Sequence, residues 1–143
     1  MSGAGAPRTF STEVYVSFGD CDPAGIVYYP NFYRWFDLAT QRLSDSVGLT
    51  LHAMRRDHGW IGMPLVEAGA RFMSPASYGD TIRIESRIVE WQRKTFRLEH
   101  RVLRDALPLA EGWEVRILGE PMPGDPRRIR SVAIPAEVRS LLS

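Results

Sequence analysis

Two carboxylates, Asp20 and Asp22, stand in the run Gly-Asp-Cys-Asp-Pro-Ala-Gly at residues 19–25, and Pro30 follows a short apolar stretch from Ile26 to Tyr29. Gly, Asp and Pro at this density mark a turn. Proline suits the first position of a helix, where the N–H it lacks would have no partner in any case. From Phe32 onward Trp35, Phe36, Ala39, Leu43 and Val47 recur at steps of three and four, the stripe of a helix packed on one face. A carboxylate-bearing turn therefore runs directly into a helix N-terminus. The first N–H groups of a helix are unpaired and carry the positive end of its dipole, so an oxyanion forming there meets preorganised donors. One carboxylate facing that end completes the minimum for acyl transfer: it attacks, or activates water, while the amides hold the oxygen. On spacing alone, Asp20 and Asp22 also serve simply as turn caps, because Gly-Asp and Asp-Pro are common turn signals.

Other chemistries find no support. The chain has no GxSxG, no HExxH and no phosphate-cradling glycine loop after a strand; Gly3 and Gly5 have no strand before them. His52, His58 and His100 stand singly and read as surface or packing residues. No Ser–His or Cys–His couple is visible locally, although residues distant in sequence can meet in space. The lone Cys21 excludes an internal disulfide and a cysteine-rich zinc site, so it reads as a small loop filler and no metal is expected. Eighteen basic and seventeen acidic residues leave a net charge of +1, against charge-driven nucleic-acid binding. Residues 1–81 hold an excess of acidic side chains and residues 82–143 an excess of basic ones, which suits a pocket for a small polyanion such as a phosphate. No apolar run approaches the ~18 residues of a membrane span. The opening MSGAGAPRTF lacks the apolar centre of a secretory signal, so the expected address is the cytoplasm, with no membrane partner.

The 143 residues suit one domain, residues 10–143, behind a disordered tail of small residues at 1–9. Val14, Val16 and Phe18 alternate with polar neighbours, predicting a strand over Thr12–Phe18; the long helix follows and stops near Gly48. Beyond it come a strand over Pro64–Phe72, a turn at Tyr78-Gly79-Asp80, and strands led by Ile82, Ile84 and Ile88 and by Phe96, Leu98 and Val102. A further strand has Trp113, Val115 and Ile117 alternating with Glu114 and Arg116. Alternation of this kind puts one face of each strand in the core and the other outside. A loop over Pro121–Arg128, a strand over Ile129–Ile134 and a short helix over Pro135–Leu142 close the chain. The class implied is α+β: one antiparallel sheet of five or six strands around one central helix.

The string GDCDPAGIVYYPNFYRWFD, residues 19–37, resembles the signature of the hotdog-fold 4-hydroxybenzoyl-CoA thioesterases of the Pseudomonas type. Weaker matches follow in order: GMPLV, the ASYGD turn, EWQRKTF and RIRSVAIPAE. The resemblance implies the hotdog fold, a long helix wrapped by a curved antiparallel sheet. It implies hydrolysis of an aromatic, 4-hydroxybenzoyl-like acyl-CoA thioester. The active sites would form between subunits of a homodimer or homotetramer, with no cofactor beyond the CoA that the substrate carries. It places the catalytic carboxylate on Asp22 and the oxyanion donor on the backbone N–H of Tyr29, with nucleophilic and general-base roles for Asp22 both open. Asp37 falls where the family meets the para-hydroxyl of the acyl ring. A buried carboxylate there rejects a ring lacking that hydroxyl, because an unpaired buried acceptor is costly; from the sequence alone a solvent-facing helix aspartate is an equal alternative.

The same resemblance assigns the CoA phosphates to Arg93, Lys94 and Arg130, with Arg128 beside them, and Gln92 replaces one family arginine. Met63 stands where the pattern has a hydroxyl residue and makes the acyl pocket more apolar. Glu67 replaces a small residue, as a second site carboxylate or a strand-surface ion pair. Trp35 reads as core, with Tyr29 and Trp60 as aromatic walls. Short-chain-acting relatives often carry histidine where this chain has Tyr28-Tyr29-Pro30, which draws the reading toward aromatic substrates. A thioesterase for short-chain or other aromatic acyl-CoAs, and a non-catalytic acyl-CoA-binding module, are the alternatives.

Overall fold

The computed structural model describes residues 7–143. Of the expected tail, residues 1–6 lie outside the described residues, and Pro7 to Thr9 are exposed with no regular structure. Strand β1 (Phe10–Tyr15) leads through a single 3-10 turn (Phe18–Asp20) to α1 (Pro30–Ser46). Then follow α2 (Leu51–His58), β2 (Leu65–Phe72), β3 (Thr81–Trp91), β4 (Thr95–Arg104), β5 (Leu107–Ile117), β6 (Gly119–Met122), β7 (Asp125–Ser131) and α3 (Ala136–Leu142). Five strands make one antiparallel sheet in the order β1-β3-β4-β5-β2, with bulges in β2, β3 and β5 that bend it. Strands β6 and β7 form a separate hairpin. The expected α+β order is thus present, with one helix (α2) and one strand (β6) more than the alternation reveals, and with β7 starting and ending earlier than the strand read over Ile129–Ile134.

Helix α1 lies on one face of the sheet because its apolar stripe has two partners there. Phe32, Trp35, Phe36 and Ala39 pack with Val16, Ile82, Ile84, Val102 and Leu109. Leu43 packs with Met54 of α2, Ile88, Phe96 and Leu98 of the sheet, and Val138 and Leu142 of α3. Between these two apolar clusters lies a belt of buried polar side chains: Thr40, Ser86, His100, Glu114 and Arg116.

That belt corrects the reading of β5. Glu114 and Arg116 face inward and are buried, while Trp113, Val115 and Ile117 face outward and are only half-buried. Apolar alternation names the wrong face here because the two charges find partners on α1 and β4 and so tolerate burial. Trp113 has its own reason to lie outside: its indole covers Gly69 of β2, where an added Cβ would stand 2.0 Å from the ring.

The region read as a loop, Pro121–Arg128, is mostly hairpin, since prolines sit in β6 and β7 without stopping an edge pair. Helix α2 shows no apolar stripe because only Met54 on it is buried, although Thr50 caps it by accepting the Ala53 N–H at 3.0 Å.

Gly112 of β5 sets how closely α1 approaches. A Cβ at this position would stand 2.4 Å from the Phe36 ring and 3.1 Å from the Gly69 carbonyl oxygen. Overpacking of this kind costs about 1–3 kcal/mol. Gly112→Ala is therefore expected to lower the urea midpoint by that free energy, measured against the parent at neutral pH.

Candidate active site

The turn before α1 is braced by Asp20. Its Oδ2 accepts the Ser17 N–H at 2.9 Å and its Oδ1 accepts Arg34 Nη2 at 2.8 Å. Its main-chain carbonyl accepts both the Tyr28 N–H at 2.9 Å and Asn31 Nδ2 at 2.8 Å. Asp22, two residues on, is differently placed. Its Oδ1 accepts the Ala24 N–H at 2.9 Å, and its Oδ2 has no partner among the described residues. The segment then doubles back: Asp22 N–H donates to the Ile26 carbonyl, Cys21 bridges to Val27, and Ile26 bridges to Ser77. Cys21 is half-buried inside this hairpin, with its thiol 3.9 Å from the Ser17 carbonyl oxygen, as a loop filler should be.

The opposite side of the turn is the start of α1. Asn31 N–H donates to Tyr28 O at 3.0 Å and Phe32 N–H to Tyr29 O at 3.1 Å, while Pro30 has no N–H. The N–H of Tyr29 has no acceptor among the described residues. Beside it opens an apolar cleft of about 320 Å³, walled by Ile26, Val27, Tyr29, Phe32, Phe72 and Met73. The loop carrying Asp22 thus also supplies the unpaired amide and three of the walls. A second cleft of about 310 Å³ lies on the outer face of the sheet and shares no residue with the first. Its floor includes Arg71 paired with Glu111 at 3.5 Å and Arg87 paired with Glu99 at 3.8 Å.

Asp37 lies two turns along α1 from Pro30, about 10 Å at 1.5 Å per residue. It is not the buried carboxylate expected: its side chain is 64% exposed. The adjacent charge is buried instead. Arg116, 6% exposed, donates through Nη2 to Asp37 Oδ1 at 2.8 Å and to Glu114 Oε2, and through Nη1 to the Met63 carbonyl at 2.7 Å. Glu114 Oε1 accepts from Thr40 Oγ1 and, at 2.9 Å, from His100 Nε2; His100 Nδ1 lies 2.7 Å from Ser86 Oγ. The His100 ring stacks on Phe36 at 4.9 Å. Burial pushes the Glu114 carboxyl up, but hydrogen bonds and charge from His100 and Arg116 outweigh it and hold the group at about 2. Burial likewise opposes the charge on Arg116, and Glu114 and Asp37 more than restore it, raising its pKa.

Ser86, His100 and Glu114 form the Ser–His–carboxylate chain that the local sequence did not show, and it is not a nucleophile. In a working triad Nε2 faces the serine and Nδ1 the carboxylate; here the order is reversed, and the three side chains are 1%, 0% and 2% exposed.

The remaining expected residues divide. Tyr29 walls the cleft, whereas Trp35 and Trp60 are buried core residues, so Trp60 does not serve as a wall. Met63 is buried in the cluster around Leu43 and Met54, away from the cleft, and offers only its carbonyl to Arg116. Glu67 is exposed on β2 and accepts from Trp113 Nε1 at 3.4 Å rather than forming an ion pair. Arg93 and Lys94 are exposed at the β3–β4 turn, and Arg128 and Arg130 are exposed on β7. Arg130 is matched by Glu120 at 2.7 Å. Sequence reasoning missed Arg139, whose guanidinium lies over the Trp91 ring at 5.4 Å and donates to the Gln92 carbonyl, holding the turn that carries Arg93. Among the described residues no three His, Cys, Asp or Glu side chains cluster as metal ligands do.

A family model for the thioesterase-like superfamily matches residues 16–140, from the end of β1 to α3. The chain belongs to that superfamily. Among its members, the 4-hydroxybenzoyl-CoA thioesterase of Pseudomonas sp. (strain CBS-3) is 35% identical over 142 residues, covering 95% of this chain and 99% of that one. The 1,4-dihydroxy-2-naphthoyl-CoA hydrolase of Synechococcus elongatus is 26% identical over 102 residues, 71% of this chain and 75% of the other. A solved variant of 4-hydroxybenzoyl-CoA thioesterase complexed with 4-hydroxybenzoyl-CoA superposes with a TM-score of 0.87 at 34% identity, covering 95% and 99% of the two chains. A gentisyl-coenzyme A thioesterase superposes at 0.77 with 32% identity over 93% and 98%. The fold is therefore that of hotdog thioesterases.

Removing the Glu114 charge tests the buried network. Its carboxyl is held below its unfolded value of 4.5, so its stabilisation is whole above that pH and is lost as pH falls toward about 2. Glu114→Gln leaves buried Arg116 with only the exposed Asp37 as counter-charge and is expected to destabilise by up to about 3–5 kcal/mol at pH 7 in denaturant unfolding. The difference from the parent should shrink steadily on acidification through that window.

Proposed function

We propose that the chain hydrolyses aromatic acyl-CoA thioesters of the 4-hydroxybenzoyl type, with Asp22 as the catalytic carboxylate and the Tyr29 N–H as the oxyanion donor. One observation carries this reading: an unpaired helix-end amide at Tyr29 belongs to a residue that walls an apolar cleft, and the loop leading to it carries a carboxylate with an unpaired oxygen, Asp22, seven positions before. The thioester carbonyl oxygen would accept the Tyr29 N–H as charge develops on it. Asp22 would attack the carbonyl carbon, or take a proton from the water that does. Either way the C–S bond breaks, CoA leaves as the thiol and the acid is released; along the covalent route, water first cleaves the mixed anhydride and restores Asp22. Asp20 has no such freedom, because both its oxygens and its carbonyl are engaged.

The names of the similar proteins support an aromatic acyl group bearing hydroxyls, since hydroxybenzoyl-, gentisyl- and dihydroxynaphthoyl-CoA all recur among them. Other hydroxylated aroyl-CoAs are therefore the second reading. For the CoA moiety, Arg93, Lys94 and Arg128 offer exposed cations, and Arg130 would have to exchange Glu120 for a phosphate. We further read the site as completed by a second copy, in a homodimer or homotetramer. Strand β2 is a sheet edge with Leu65, Val66 and Phe72 exposed, and Phe72 also walls the cleft. No helix of the described residues is long and apolar enough to cross a membrane. A cytoplasmic address and a reaction needing only water and the substrate's own CoA belong to the same proposal.

Two measurements test it. Asp22→Asn should lower kcat for 4-hydroxybenzoyl-CoA by at least ~10², the scale of losing one oxyanion donor, with KM little changed; equal rates would remove Asp22 from the mechanism. Arg93→Ala combined with Lys94→Ala should raise KM for CoA thioesters several-fold and leave the N-acetylcysteamine thioester untouched. An equal effect on both thioesters would mean that these cations do not meet the CoA phosphates.

A further inference from the structure

We propose that Asn31 is a positioning residue for the oxyanion donor. Its side-chain amide ties the start of α1 to the loop behind it and so fixes where the Tyr29 N–H points relative to Asp22. This inference rests on the reading of Asp22 and Tyr29 given above and adds a residue to it.

The backbone at the start of α1 shows what has to be held. An N-cap residue normally has extended dihedrals, and a following proline turns its neighbour away from the helical region. Tyr29 is both the N-cap and the residue before Pro30, yet its backbone is helical, at φ −56° and ψ −32°. Rotation about ψ of Tyr29 toward the extended value would swing the loop, and the Tyr29 N–H with it, relative to the helix. Whatever holds that angle aims the donor.

Asn31 makes two hydrogen bonds across that bond. Its main-chain N–H donates to the Tyr28 carbonyl at 3.0 Å, and its Nδ2 donates to the Asp20 carbonyl at 2.8 Å. The same Asp20 carbonyl accepts the Tyr28 N–H at 2.9 Å, so one oxygen gathers the chain on both sides of Tyr29. Asp22 follows two residues after Asp20 on this loop. A further tie, from Arg34 to the Asp20 carboxylate, has its arginine 62% exposed, and a surface ion pair restrains little. The Asn31 side chain is half-buried and is the firmer of the two. Of residues 28–32, Tyr29 alone has an N–H without an acceptor among the described residues, since those of Tyr28, Asn31 and Phe32 are engaged and Pro30 has none. The neighbouring donors hold the backbone, and one is left for a substrate.

The test is a cycle of Asn31→Ala and Asp22→Asn, with kcat and KM for 4-hydroxybenzoyl-CoA and a urea midpoint for each variant. Asn31→Ala alone should lower kcat about tenfold, inside the ~10² that a misplacement of about 1 Å can cost, and leave KM within about twofold. Added to Asp22→Asn, it should lower kcat by less than about threefold, because groups that act as a unit lose little more once one is gone. An equal loss in both backgrounds means that Asn31 acts apart from the pair, as a merely structural residue would, and overturns the inference. A loss that appears in KM instead of kcat overturns it too, as does a parent-like kcat, whatever the urea midpoint. Should Asn31→Ala not fold, Asn31→Ser, whose hydroxyl is too short to reach the Asp20 carbonyl, takes its place with the same outcomes. A parent that hydrolyses no aroyl-CoA, or one that Asp22→Asn leaves unchanged, defeats the underlying reading and the inference with it. A parent sensitive to Asp22 and indifferent to Asn31 defeats only the role of Asn31.

Discussion

The pairing of Glu114 with Arg116 inside the sheet holds the molecule in one arrangement. Neither charge is tolerated alone in that setting, and breaking such a pair costs about 3–5 kcal/mol. Both residues lie on β5 with one position between them, so a one-residue slip of register would turn both to the outside and bring Trp113 and Val115 in. The pair therefore fixes β5 against β4. Through Thr40 and Asp37 it also fixes how α1 sits on the sheet. With the helix set in depth and direction, its first turn arrives beside the hairpin that carries Asp22.

Much of this was legible in the chain. The stripe from Phe32 to Val47 has the right period and length for a helix packed on one face, and α1 is that helix. Strands β3 and β4 follow their isoleucines, leucines and valines. The reading failed where polarity and burial part company. On β5 the alternation was visible, but its sign depends on partners 74 to 79 positions away on α1, which no local pattern reveals. Helix α2 escapes the sequence reading because it buries one side chain, and β6 with the first half of β7 because their prolines look like loop residues.

The site divides along the same line. The turn, the helix start and the difference between Asp20 and Asp22 all lie within a few residues of one another, and the motif GDCDPAGIVYYP carries them. Pieces that rely on tertiary contact were less legible. Asp37 was recognised by motif, yet its exposure and its buried partner depend on β5. Met63 was assigned to the pocket from its place in a string and lies in the core. Arg93 and Lys94 at the β3–β4 turn are exposed, while Arg139, which steadies that turn, is forty-odd positions away in sequence and gives no local signal.

The split between Asp20 and Asp22 has an evolutionary corollary. One aspartate shoulders the architecture of the loop and its neighbour carries almost none, so replacement at position 22 leaves the surrounding scaffold standing. With Asp22 in the role proposed above, descendants of such a gene would forfeit turnover without forfeiting foldedness. A lineage of well-folded, inactive ligand-holding paralogues is then only one codon change from the parent, while loss of the brace at position 20 is purged as misfolding.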